Sequence, residues 1–465
     1  MNARFLTLAI GATLAGTASA QWAQLSPVTS PPARAAAGMA YDLTSGRLML
    51  FGGAATFTQF NDTWTYDGTN WTQQSPATSP PAKHSMDIVF DLNRGVFVMY
   101  GGNATFSNPG TNETWEYDGV TWTQRFPATN PGNLGLHAMA FDSARNVVVL
   151  YGGITTVGPI VDSNQTWEYD GVTWTQHVTA TNPGRLEAHS MCFHSGIGKT
   201  ILFGGVNANP SVPTSAIDND KTWAYDGTNW VELNVPGVRP LRRERARLAY
   251  DLLRDVCVLV GGMHYSNGQP RSDTWELSQT GTTWTWTQVV TPGLPTNFYR
   301  FSSTLAFMAG DRQMVQFGGM RGSSTYYNDT SEYGAKVATF GVGCAGTNGV
   351  PALAAIDAPR LGQNWVLNVA NLNPSINFAV IVLGLTQLPG IDLGPLLGMT
   401  GCWGYVTPDV LSTAPVGAGG STTWTWTAIN GPIGAQFFCQ ALCLDPAANN
   451  FGFTISNGVS ATLGL

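Results

Sequence analysis

Five arginines crowd into one nonapeptide, RPLRRERAR at 239–247: Arg239, Arg242, Arg243, Arg245 and Arg247. Lysine and arginine total only 22 in 465 residues, so this density departs from the chain's own background. Further basic residues stand singly at Arg34, Lys83, Arg185 and Arg300, each shortly before a short apolar run. Guanidinium forks bind carboxylate or sulfate through paired N–H bonds, so the chemistry suggested is anion capture. His264 and Tyr265 lie nearby in MHYSNGQPRSD, a stretch unlike any other in the chain. The structural alternative is that the cations pair with loop acids such as Glu187 and Glu244 and fix turns.

Covalent and metal chemistry leave less trace. The histidines are His84, His137, His177, His189, His194 and His264. Only His189 and His194 are close in sequence, and five residues apart in a strand they face opposite ways. No HExxH, Walker-type loop or Ser/His/Asp order is present, so no catalytic residue, metal or cofactor is assigned.

Net charge is −7, which argues against bulk binding to nucleic acid or an anionic membrane. Residues 1–20, MNARFLTLAIGATLAGTASA, combine Arg4, a short apolar run and Ala18-Ser19-Ala20. That is the pattern of a secretory signal peptide, and it predicts a chain secreted or held at the cell surface, beginning at Gln21. No later apolar stretch is long enough to span a membrane as a helix.

What must position the basic residues is a repeat. Six apolar runs end in Gly-Gly, starting at Gly52, Gly101, Gly152, Gly204, Gly261 and Gly318, about 50 to 57 residues apart. Each unit reads as four strands. Strand A is GMAY, DIVF, AMAF, SMCF, RLAY or TLAF; strand B is the run before Gly-Gly. Strand C is TWTY or TWEY in most units, and strand D the WTQ-like stretch. Strand A carries bulky residues on one face (Met39, Tyr41) and small ones on the other (Ala40), so both faces must be covered. Asp-Gly between C and D predicts a two-residue type I′ turn. WAQLSPVTSPPA at 22–33 aligns with WTQQSPATSPPA at 71–82, yet the sixth unit has no Trp-containing strand D. Residues 21–26 are therefore expected to complete the sixth unit.

Apolar run, double glycine and spaced aromatics such as Trp64 and Trp71 resemble the kelch repeat over residues 21–337. The resemblance implies a six-bladed β-propeller, closed by the N-terminal strand, with D–A and B–C loops around one channel mouth. It also implies a partial basic ring there from Arg34, Lys83, Arg185, Arg243, Arg245, Arg247 and Arg300. Kelch propellers include copper radical oxidases related to galactose oxidase and bacterial sialic-acid epimerases, but no catalytic residue of either transfers to a position here. The DGTNW motif differs in spacing from the Asp-box of sialidases, and that motif is itself a structural turn.

Residues 340–465 leave the period and carry almost no charge. NWVLNVA, NFAVIVLG, TTWTWTA, QFFCQALCL, FGFTIS and SATLGL read as strands of a small β-sandwich. FGVGCAG and SNGVSATLGL resemble an uncharacterised C-terminal module of secreted planctomycete proteins. Among the cysteines, Cys344 and Cys402 are expected to pair, with a Cys439–Cys443 bridge only if their strand is broken; Cys192 and Cys257, in adjacent units, are expected to be buried thiols in preference to a bridge.

The sequence thus predicts an all-β, monomeric, secreted binding protein whose loops in units four and five take a glycan or protein ligand of anionic character. The rival expectation is an exported carbohydrate-active enzyme of kelch type. The longest B–C loop, VNANPSVPTSAIDNDK, is expected beside the arginine-rich stretch.

Overall fold

A computed structural model describes residues 21–334 apart from 106–109, 156–160, 208–216, 290–297 and 311–312. It also describes 337–462 apart from 341–342, 346, 356–364, 376–377, 394–398, 400–401, 418–419, 427–435 and 449–452. The signal-like residues 1–20 lie outside the described residues. Residues 21–334 and 335–465 form separate compact units. No α-helix occurs among the described residues.

The first unit contains six four-stranded antiparallel sheets. Sheet one runs Gly38–Asp42, Arg47–Phe51, Thr63–Tyr66 and Trp71–Gln74, each strand beside the next. Sheets two to five repeat this order, with strands A at Asp87–Asp91, Ala138–Asp142, Ser190–His194 and Arg247–Asp251. Sheet six takes A, B and C from Thr304–Met308, Gln313–Phe317 and Thr330–Gly334, and its fourth strand from Gln21–Gln24. Trp22 stands opposite Tyr333 in that register, as Trp71 stands opposite Tyr66 in sheet one.

Burial follows the large/small alternation. The Ala40 face of sheet one packs on Ile88 and Phe90 of sheet two, and the Ala306 face of sheet six on Met39 and Tyr41 of sheet one. Two sets of hydrogen bonds then link each sheet to the one before it. The strand-D indole N–H of Trp71, Trp122, Trp174, Trp230, Trp286 and Trp22 donates to the hydroxyl of Thr330, Thr63, Thr114, Thr166, Thr222 and Thr274. The second set joins the residues just before strands A, at 2.8–3.0 Å. Ala36, Ser85, Leu136, Ala188, Arg245 and Ser302 each donate N–H to the preceding member's carbonyl, and Ala36 donates to Ser302. All six have φ between 52° and 58°, a conformation that costs a non-glycine residue free energy.

The connection between strands C and D corrects the expectation of a two-residue turn. Tyr66 pairs with Trp71, leaving four loop residues, and of these only Gly68 has positive φ. Asp67 keeps an ordinary backbone and accepts the N–H groups of Thr69 and Asn70 through Oδ1. An Asx-type turn replaces the type I′ geometry because the side chain supplies the closing bonds.

In the second unit, a five-stranded and a three-stranded sheet share a core that includes Leu353, Trp365, Ile381, Phe437, Cys439 and Val459. The described parts of FGFTIS and SATLGL belong to one strand, Phe453–Thr462. Gly458 sits opposite both Gln440 and Phe340, so the NG pair continues the ladder instead of turning it. Cys344 and Cys402 lie at disulfide distance, Cα atoms 4.8 Å apart, a pairing at home in an oxidising, extracellular setting. Cys439 and Cys443 are buried free thiols.

Candidate functional site

The basic residues divide into two groups. Arg34 forms two bonds to Asp62, at 2.6 and 2.8 Å, and a third to the Gly52 carbonyl at 2.9 Å. Arg243 repeats this with Asp273 and Gly261, and Arg300 with Asp329 and Gly318. Lys83 reaches Glu113 and Thr111. All four basic side chains are fully buried. Burial works against ionisation of Asp62 and Asp273, but the Arg34 and Arg243 forks hold both carboxyls below their usual range. Each pair clamps the strand A approach to the glycine pair of its own sheet. The acids involved are not Glu187 and Glu244 but the residues two before the strand C Trp position.

A signal for this was present in the repeat. The corresponding pairs are Arg34/Asp62, Lys83/Glu113, Leu134/Gln165, Leu186/Lys221, Arg243/Asp273 and Arg300/Asp329. Where the base is replaced by leucine, in sheets three and four, the acid is absent as well. Arg185 therefore stands one residue before the clamp position, and its Nη1 donates to the Asp162 carbonyl at 3.0 Å.

Arg245 and Arg247 are placed differently. Arg245 occupies the hydrogen-bonded ring whose other members are Ala36, Ser85, Leu136, Ala188 and Ser302. Its side chain is 30% exposed and its Nε lies 3.7 Å from Glu244. Arg247 opens strand A and donates from Nε to the Ser303 carbonyl at 2.8 Å. Both line a small cavity of about 30 Å3 at the ring, together with Ser85, His137, His189 and Ser302. A larger cavity of about 290 Å3 passes between strands A of all six sheets, walled by Met39, Ile88, Met139, Met191, Leu248 and Leu305. Arg247 and the half-buried Asp87 belong to its wall.

Around Arg245 the acids are buried. Burial, with Asp162 and Glu244 nearby, pushes the Glu187 carboxyl up to about 8 against the opposing pull of Arg245. Its Oε2 has no hydrogen-bond partner among the described residues. A carboxyl kept neutral at pH 7 is a donor as well as an acceptor. Burial and then Arg245 push His84 down to about 4, so it stays neutral there too.

The B–C loops reach this place through backbone pairing. Met263 exchanges N–H···O bonds of 3.0 and 2.9 Å with Glu244, bringing His264 and Tyr265 to the residue beside Arg245. Tyr265 is exposed, and His264 Nδ1 meets Ser266 Oγ at 3.0 Å. In the long loop of unit four, Gly205 donates to the Arg243 carbonyl and Arg243 to the Asn219 carbonyl. Residues 208–216 of that loop lie outside the described residues.

Among the described residues no three His, Cys, Asp or Glu side chains cluster as metal ligands, and no helix is long and apolar enough to cross a membrane. No family model matches the chain, and no curated protein matches it in sequence.

Proposed function

We propose that residues 21–334 are a six-bladed kelch-type β-propeller and that its channel mouth binds an anionic glycan or protein segment through Arg245 and Arg247. The propeller reading is supported by six like sheets and by two sets of bonds in which sheet one continues from sheet six. Residues 337–462 are then a β-sandwich accessory module, and the chain works outside the cell as a binding protein.

One observation carries the functional reading. At the ring position the other five sheets supply an aliphatic or hydroxyl side chain, while sheet five supplies Arg245. A repeat departs from its own pattern where its surface has a particular task. Arg34, Lys83, Arg243 and Arg300 are already paired with carboxylates and hold the scaffold. Arg245 and Arg247 share one cavity, and the neutral carboxyl of Glu187 near Arg245 can donate to a ligand oxygen. Tyr265 offers an exposed ring at the rim for stacking.

The test is an array of acidic and neutral glycans and acidic peptides probed with the chain from Gln21. Retention of acidic members that is lost in Arg245→Ala supports the reading. Equal retention by the variant removes the assignment.

A further inference from the structure

We propose that Cys192 and Cys257 form a disulfide that joins the fourth sheet to the fifth. In the structure both are free thiols, as expected, with the Cys192 S–H donating to the Cys257 sulfur at 3.4 Å, and both side chains are buried in one apolar cluster at the contact between these sheets.

The repeat makes the coincidence specific. Cys192 is the small-face residue of strand A, and Cys257 the second residue of the next sheet's strand B. At the other contacts this pair is Ala40/Phe97, Val89/Val148, Ala140/Thr200, Ala249/Met314 and Ala306/Leu48. Ala40 and Phe97, Val89 and Val148, and Ala306 and Leu48 share buried clusters in the same way. A cysteine appears at neither place in any of these five contacts, yet both partners are cysteine in one. A thiol chosen only for packing has no need of a second thiol opposite it.

The chemistry is thiol–disulfide exchange with a disulfide oxidant, either a protein disulfide or glutathione disulfide. One cysteine thiolate attacks the donor's S–S bond, giving a mixed disulfide and releasing one donor thiol. The second thiolate then attacks the protein sulfur, forming Cys192–Cys257 and releasing the other donor thiol. Two protein thiols are oxidised and one donor disulfide is reduced. Burial, reinforced by Cys192, pushes the Cys257 thiol well up, so exchange belongs to folding, before the sheets close on each other.

The experiment uses the full chain, refolded with glutathione disulfide, denatured without reductant, alkylated and digested. A cross-linked peptide pair holding Cys192 and Cys257, lost on reduction, is expected. Alkylated Cys192 and Cys257, or glutathione mixed disulfides at either, overturn the proposal. Cys192→Ala is the control, because alanine fills that place in four of the other sheets. Reductant should lower the melting temperature of the wild type by on the order of 5 °C more than that of the variant. An equal effect on both overturns it too.

Discussion

Ala36 donates its backbone N–H to the carbonyl of Ser302 at 2.8 Å, joining the first sheet to the sixth. Five equivalent bonds make the same link between the intervening sheets, so each residue of the set is held from both sides. That constraint explains how six non-glycine residues stay at φ near 55°.

The strain is measurable at Ala188. A β-branched side chain is the least compatible with left-handed backbone, whereas glycine adopts it freely. Ala188→Val should lower stability by about 2 kcal/mol, and Ala188→Gly should change it by no more than about 1 kcal/mol. Chemical denaturation of the two variants checks the difference.

Buried clamps make a second prediction. Arg300→Leu removes the guanidinium fork from the largely buried Asp329 carboxylate and should cost about 3–5 kcal/mol. The double variant Arg300→Leu, Asp329→Gln copies the Leu134/Gln165 arrangement of sheet three and should recover most of that loss. A double-mutant cycle by thermal unfolding gives the coupling directly.

Trp22 belongs to the interior, not to a free tail. It is buried against Phe298 and Tyr333 and bonded to Thr274 at 2.8 Å. Trp22→Ala should therefore cost about 3–5 kcal/mol, as much as Trp122→Ala in sheet two. It should also expose the Thr330–Gly334 edge and promote association, which light scattering would detect.

Stability should depend on pH from two sides. Burial pushes both His137 and His189 down to about 3, and in the unfolded chain each titrates near 6.5. The unfolded state then binds more protons below pH 6.5, so stability falls as pH drops from there toward 3. Glu187 acts oppositely: raised to about 8 from 4.5, it keeps its proton in the folded state while the unfolded chain loses it. Its contribution is lost as pH rises from 4.5 through 8, at about 1.4 kcal/mol per unit. Glu187→Gln should flatten the stability–pH profile above pH 6.5, steepen its fall between 6.5 and 4.5, and leave it unchanged below 4.5.

Much of this architecture was legible because it repeats. The period, the strand order and the likeness of WAQL to WTQQ follow from six copies of one pattern, and each copy checks the others. The Asp67 turn was misjudged because Asp-Gly fits two turn geometries, and the choice rests on where the Asp67 side chain bonds. The division of the basic residues was also hidden. Arg243 and Arg245 are neighbours of one type in one loop, but one points at Asp273 and the other sits in the ring. Only the joint replacement of base and acid, by Leu134 with Gln165 and by Leu186 with Lys221, marks the clamp in sequence.

On the proposed reading the clamp residues repeat, and the residues that meet the ligand, Arg245 and Arg247, do not. Calorimetric titration of an acidic glycan or peptide retained by the array tests it most directly, using wild type and the Arg245→Ala, Arg247→Ala double variant. The account predicts at least a roughly tenfold loss of affinity in the variant, with wild-type affinity falling as salt is raised and the melting temperature little changed. Equal affinity in both proteins, or affinity indifferent to salt, would contradict it.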